Sequence, residues 1–495
     1  MNEENMNSTS TQNNNLHRKL NSRLLNMIAI GGSIGTGIFL ASGNAIHMAG
    51  PGGILVAYLV TGLMVYFLMT SLGEMAAYMP STGSFYIYAA KFVDPALGYA
   101  LGWNYWYNWA ITVASEISAA SLVMHYWFPN SPSFLWCALF ISIVTGFNAL
   151  SARGFGEAEY WLSFIKVSVI IIFIVAGTAI LFGITPYHAG GFSYWTIGNA
   201  PFNGGWLGVF GAFMIAGFSF QGTELIGIAA GESENPRENI PKAIKQVFWR
   251  ILLFFVLSVF IISLLIPYTS PSLASSDVEV SPFTLVFKQY GITFAASLIN
   301  AVILVAILSA GNSGTYASTR MLWYLAKEGH VPAIFKKVNK RGVPINALIA
   351  TTLIAMLAFL SSFFGTGTVY FWLINASSLC GFIAWLGIAI SHYRFRKAYV
   401  QQGLDLKDLP YLAKGYPYAP LLAFTLCLII IGGQNYQAFM NSQIDWYGLV
   451  VSYISLPIFI ALWLGYKWKH KTKLVKLSHC EFGPQPATLA FDVKN

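Results

Sequence analysis

Three ionisable residues, Glu116, Lys166 and Glu224, stand inside long apolar runs of a chain in which only 9% of residues are charged. A charged side chain at the centre of a bilayer costs about 2.5–3.5 kcal/mol on insertion scales, so such residues mark routes for ions, protons or polar substrates. Two of these runs are also interrupted. Gly31-Gly32-Ser33-Ile34-Gly35-Thr36-Gly37 breaks the first, and Ala216-Gly217-Phe218-Ser219-Phe220-Gln221-Gly222-Thr223-Glu224 puts an amide, hydroxyls and a carboxyl group into the sixth. Glycine costs a helix about 1 kcal/mol relative to alanine, which favours either close helix packing through small residues or local unwinding. Unwound backbone at membrane depth is tolerated only where protein or a water-filled cavity satisfies it. Half-helix N-termini there offer free N–H groups to a carboxylate, and the opposing carbonyl ends suit an ammonium group. A zwitterion fits both.

The elements that must hold these groups are membrane helices. With 495 residues, 56% of them hydrophobic, and a mean hydropathy of +0.59, the chain is too apolar for a soluble domain. Apolar runs of about twenty residues cross a hydrocarbon core of about 30 Å as helices. They predict an all-α integral membrane protein of about twelve spans, roughly 24–46, 53–78, 96–124, 134–151, 158–183, 206–230, 248–267, 289–316, 346–364, 370–391, 418–438 and 446–466. The interrupted spans lie five helices apart. An odd offset inverts the second set of helices, so a five-plus-five inverted repeat is expected: 21–200 and 201–400 as the two repeats, 401–470 as helices 11 and 12, and polar tails at 1–20 and 471–495.

The net charge of +9 does not imply a nucleic-acid partner, because the cations, among them Arg250, Arg320 and Arg396, read as loop residues on one side, with only Lys166 inside a helix and Lys288 at the outer end of another out of place. The positive-inside rule then puts both termini in the cytoplasm of a bacterial-type inner membrane. Cys137, Cys380, Cys427 and Cys480 are too scattered for a metal site or a disulfide framework and read as packing. No nucleophile elbow, His/Glu metal spacing or Walker loop occurs, so no enzyme, cofactor or ATP-driven reading is supported. Isolated polar residues do not make a channel filter. A secondary transporter explains the breaks, the repeat and the buried charges together, and a receptor on a transporter scaffold is its alternative.

Each ionisable residue keeps two readings. Glu224 stabilises a cationic substrate or carries a proton, against a neutral structural carboxyl. Glu116 is a substrate carboxylate or a packing acid bonded to Thr112 or Ser115. Lys166 lies about nine residues into its helix, roughly 14 Å deep at 1.5 Å per residue, which is awkward for snorkelling. Glu74 and Glu232 are expected to pair with loop cations or helix ends near an inner gate. Asp277 and Glu279, in an outer loop, would attract cations or do nothing.

Taken together the motifs are identified as those of the amino acid–polyamine–organocation permeases, with nearest likeness to bacterial lysine-specific permeases. The resemblance runs from Leu16 to about Lys471. It rests on Gly31 to Phe39, Ser71 to Met75, Pro80 to Phe85, Gly217 to Glu224, Gly231 to Pro236 and Ser309 to Ser313, with Ala384 to Arg396 and Gly432 to Tyr436 adding the lysine-permease likeness. It implies a leucine-transporter-like fold and proton symport of an amino acid, L-lysine first, with arginine, ornithine or histidine next. It implies backbone amides around Gly35, Thr36 and Gly37 for the substrate carboxylate, and carbonyls near Ser33 and across Gly217 to Gln221, including Ser219 and Phe220, for its ammonium group. Phe218 would gate the site, and helices 1, 3, 6, 8 and 10 would line it. Lys166 would replace a coupling sodium ion.

Overall fold

Hydrophobic sequence with small residues at regular intervals makes helices here and little else. The computed structural model describes residues 20–32, 34–150, 152–184, 189–273, 281–434 and 446–482. Among them the only β pairing is an isolated parallel bridge between Leu20 and Ser233. Seven helical segments are long and apolar enough to cross a membrane, and Ser133–Asn148 and Tyr418–Gly433 are shorter apolar helices.

The chain opens with α1 (Ser22–Gly31), a non-helical stretch, and a π turn over Gly37–Ala41 that runs into α2 (Ser42–Tyr78). Gly50, at φ +75°, and Pro51 bend α2 into two arms; the Pro201 carbonyl caps the second arm by accepting from Gly52 N at 2.8 Å. Next come α3 (Ser84–Phe92), α4 (Pro95–Met124), α5 (Ser133–Asn148) and α6 (Ala152–Leu181). The sixth span is α7 (Gly205–Phe220), a turn over 221–224, and α8 (Leu225–Ala229). Helix α9 (Pro236–Arg250) continues through a π turn into α10 (Ser258–Leu265), and α11 (Pro282–Gln289) precedes α12 (Thr293–Lys327). The remainder is α13 (Ile345–Ala355), α14 (Ser361–Phe364), α15 (Thr366–Gln401), α16 (Tyr418–Gly433), α17 (Trp446–Tyr453) and α18 (Ser455–His470).

Helix α4 is the hub. It is buried along most of its length and packs on α12, α15, α3 and α18, so its polar residues face protein. The outer helices show the reverse pattern. On α6, Trp161, Phe164, Ile172 and Val175 are exposed, an apolar face of the kind that lipid covers.

The loop assignment of the cations needs correction. Arg250, Arg320 and Arg396 are buried inside helices. Arg320 Nε donates to Glu232 at 3.0 Å, and Arg396 Nε donates to Glu74 at 2.6 Å. Hydropathy alone places arginine in water; a paired guanidinium can be enclosed because its countercharge and hydrogen bonds come with it. Arg250 has no such pairing: its Nε and Nη2 have no hydrogen-bond partner among the described residues. All four cysteines are free and buried.

Candidate functional site

The break in the first span and the break in the sixth meet. Glycine is required at Gly37, where an added Cβ would lie 2.5 Å from the Ser219 Cα. The sixth-span break is shorter than its sequence suggests. Residues Gly217 to Phe220 stay helical, and the chain turns at Gln221, with Gly222 at φ +95°, a conformation that L side chains rarely adopt.

Between the breaks lies a cavity of about 20 Å³, lined by Gly32, Gly35, Gly37, Trp109, Thr112, Glu116, Phe218, Gln221 and Ala310. It holds no more than about one water, so an amino acid enters only if the helices move. The Glu116 carboxylate dominates it. Its Oε1 accepts from Thr36 Oγ1 at 3.0 Å and from the Thr36 backbone N–H at 3.4 Å, while Oε2 has no hydrogen-bond partner among the described residues. Gly35 is pressed against the same group, since a Cβ there would sit 2.9 Å from Oε1. A carboxyl group thus already occupies the amide end of the first break. The sequence alternatives for Glu116 named Thr112 or Ser115 as its partners; neither bonds it, because Thr112 is bound to the Asn108 carbonyl and to Ser377.

A second polar group closes the other side. Ser377 Oγ on α15 donates to Asn108 Oδ1 at 2.8 Å and lies 2.6 Å from Thr112 Oγ1; Gln221 Nε2 donates to the Ser377 carbonyl at 3.4 Å. Tyr370 Oη reaches the Thr36 carbonyl at 3.4 Å. Sequence reasoning singled out none of Ser377, Tyr370, Asn108 and Trp109. Isolated polar residues in α15 carry no pattern that points to a partner in α4.

Glu224 does not line the cavity. Its oxygens accept from Tyr105 Oη at 3.2 Å, from Trp385 Nε1 at 3.3 Å and from the Gly222 backbone N–H at 3.2 Å, so it clamps the turn that ends α7. Phe218 does line it. Ser219 bonds the Ile215 carbonyl at 2.8 Å and Tyr58 Oη at 2.7 Å. Phe220 is not among the lining residues. Its ring packs on Phe255, centroids 4.4 Å apart, and its carbonyl already accepts from Thr223 Oγ1 at 3.0 Å. Ser33, Asp277 and Glu279 lie outside the described residues.

Lys166 is fully buried and donates to Glu159 Oε1 at 3.3 Å. The same carboxylate accepts from Ser309 Oγ at 2.7 Å, Ser163 Oγ at 3.2 Å and Asn312 Nδ2 at 3.5 Å, and Asn312 Oδ1 accepts from Asn148 at 2.8 Å. Glu159 therefore ties α6 to α12 through Ser309 and Asn312, and Asn312 carries the network on to Asn148 of α5. Sequence reasoning singled out Lys166 and overlooked Glu159. The signal was present: residues seven apart lie two turns along one helix face.

Two facing helix breaks, buried ionisable groups and an apolar exterior define a multi-span transport protein rather than an enzyme. The comparisons agree. Residues 25–479 match the amino acid permease family, and the chain belongs to it. It is 59% identical to the lysine-specific permease LysP of Escherichia coli (strain K12), covering 94% of this chain and 96% of the relative. Identity is 50% with the lysine-specific permease LysP of Lactococcus lactis subsp. cremoris (strain MG1363), over 95% of this chain and 93% of the relative. It is 47% with the histidine permease HisP of that organism, over 94% and 98%.

Proposed function

We propose that this permease imports L-lysine by proton symport, with two inverted five-helix repeats alternating access to the cavity between the breaks. The observation that carries the reading is Glu116, a buried carboxylate at the cavity with one oxygen unpaired. The substrate α-carboxylate would take the amides of Gly35, Thr36 and Gly37, displacing Glu116 from the Thr36 N–H. The released carboxylate would then meet an ammonium group in a dry site, where charge pairing is strong. Phe218 closes over the ligand. Glu224 lies just beyond Gln221, toward which a long cationic side chain would extend, and by holding the turn it keeps the carbonyls of α7 aimed at the cavity.

The Lys166–Glu159 pair is the coupling element in this reading. A proton arriving from the cavity would change the charge of a pair whose carboxylate is bonded by Ser309 and Asn312 of α12, and so bias the packing of α6 on α12. The basic residues at one end of the bundle support an orientation with both termini cytoplasmic in a bacterial inner membrane. Lysine is favoured over histidine by the higher identity to the two lysine permeases.

Uptake of labelled lysine into proteoliposomes tests the proposal, with an inward pH gradient in one arm and sodium in another, and with histidine, arginine and leucine as competitors. Gradient-driven uptake competed by lysine alone is the expected result. Uptake indifferent to the pH gradient removes the symport; equal competition by histidine removes the lysine specificity.

A further inference from the structure

At the basic end of the bundle, where α18 finishes beside the start of α4, a cavity of about 370 Å³ is walled by Tyr99, His330, Tyr466, Lys469 and His470. Its rings are fixed. Tyr466 stacks on Tyr99 at 4.4 Å and on His470 at 4.2 Å, and Tyr86 Oη holds His330 Nε2 at 2.7 Å. Gly465 opens onto the space, since a Cβ there would meet nothing within 4 Å. Lys469 is the cation in its wall, and Lys327, Lys471 and Lys473 lie within three residues of lining positions in sequence against the single acid Glu328, while Lys467 is taken by Asp94. Lys469 has no ion pair among the described residues.

A second cavity, of about 130 Å³, follows the same α4–α18 seam and shares Leu462 with the first. Its walls are mostly apolar, with Trp103, Trp106, Ile458 and Phe459 prominent. Ile458 is two helical turns from Gly465, roughly 10 Å at 1.5 Å per residue. The seam faces outward, for Ile458 and Leu464 are exposed, and Trp468 is 87% exposed beside the polar cavity. An exposed tryptophan at the end of a membrane helix sits at headgroup depth, and basic pockets there attract anionic lipid.

From this continuity we infer a phospholipid site on the α4–α18 seam, with a phosphate-bearing headgroup in the basic cavity against Lys469 and His470 and an acyl chain along Trp103, Trp106 and Ile458. A soluble phosphate would use the same cations but would leave the apolar half unexplained. The site is independent of the substrate reading, and only the choice of leaflet depends on the proposed orientation.

Native mass spectrometry of the purified full-length protein in detergent tests it, with phosphatidylglycerol, phosphatidylcholine or inorganic phosphate added to wild type, Lys469→Gln and Gly465→Leu. Wild type should retain one phosphatidylglycerol at least tenfold more strongly than phosphatidylcholine. Lys469→Gln should weaken this about fivefold, the ~1 kcal/mol that a basic residue contributes at an anionic surface. Gly465→Leu, which fills open space at an unstrained helical position, should abolish it. Equal phosphatidylglycerol retention by all three proteins overturns the site. Binding of inorganic phosphate that matches phosphatidylglycerol and shares its dependence on Lys469 overturns the lipid and leaves a soluble anion as the ligand.

Discussion

Replacing Glu159 by glutamine tests whether the buried pair with Lys166 organises the packing of α6 on α12. The glutamine amide would keep the shape and an oxygen able to accept from Ser309, now 2.7 Å away, so the loss is one of charge rather than volume. Lys166 is fully buried and would lose its countercharge. Removing one partner of a buried pair costs about 3–5 kcal/mol, because the other charge is left enclosed without compensation. Taking away both charges costs much less, and apolar replacement of an entire buried pair is often neutral or stabilising. The single variants Glu159→Gln and Lys166→Met should therefore melt well below wild type in detergent, and the double variant should recover most of the difference, a coupling of about 3 kcal/mol. Thermal unfolding of the four proteins at one lipid and detergent composition measures it. A double variant that falls by the sum of the singles, or two singles that melt with wild type, would refute the argument. Transport gives a separate readout: the stable double variant should fold and still lose dependence on the pH gradient.

Glu116→Gln retains the bond to Thr36 but loses the charge; hydrogen bonds to charged groups are worth about 1.5–3 kcal/mol, so lysine binding should weaken roughly 10- to 100-fold, read by scintillation proximity on purified protein. Gly37→Ala drives a Cβ to 2.5 Å from the Ser219 Cα, a backbone atom that cannot rotate away; uptake should fall at least about tenfold while membrane expression persists, and normal uptake would disprove the close approach. Asp94 caps α4 and binds Lys467 and Thr472; burial raises its carboxyl, but those partners and the Ala96 N–H outweigh it and hold it below its ordinary value. A lowered folded value means stabilisation present at neutral pH, falling from about pH 4 downward and gone below the folded value. Amide protection over 467–482, corrected for the intrinsic exchange rate at each pH, should therefore fall on acidification below about pH 4 and stay level between pH 6 and 8.

Hydropathy and spacing made the membrane helices and the two breaks legible, because both are local properties: apolar runs need length, and glycine runs interrupt them. Glu116, Phe218 and Lys166 were singled out because a charge or a motif stands out against apolar surroundings. Partners were not legible. Ser377 reaches Asn108 across 269 positions of sequence, and Arg320 reaches Glu232 across 88, distances over which only the packed fold decides contact. The same limit misplaced Arg250, Arg320 and Arg396, since composition assigns a guanidinium to water until a buried carboxylate is shown beside it. The packing of the Phe220 ring was not legible either. The helix persists to Phe220 and its rotation aims the ring at Phe255, a partner 35 positions away.

The two ends of the bundle are closed by different chemistry, which bears on how the cavity opens. At the basic end Glu74 holds Arg396 and also accepts from the Ala413 N–H at 2.6 Å; Glu232 holds Arg320 and accepts from Tyr316 Oη at 2.7 Å; Asp94 holds Lys467. At the opposite end the described residues make hydrogen bonds without an ion pair: His47 Nδ1 with the Tyr268 carbonyl at 2.8 Å, Ser281 Oγ donating to the Phe39 carbonyl at 2.6 Å, and Asn203 donating to the His47 carbonyl at 3.0 Å. Neutral hydrogen bonds contribute about 0.5–1.5 kcal/mol each and water can replace them, whereas separating an enclosed ion pair strands two charges at several kcal/mol. In an alternating-access cycle the opposite end should therefore open first. The basic end can open only if its arginines exchange one carboxylate for another or gain water as they part. Cysteines placed at His47 and Tyr268 should then be labelled by a membrane-impermeant thiol reagent without substrate, while cysteines flanking Arg320 and Arg396 stay protected until lysine is added; the reverse order of labelling would contradict this account.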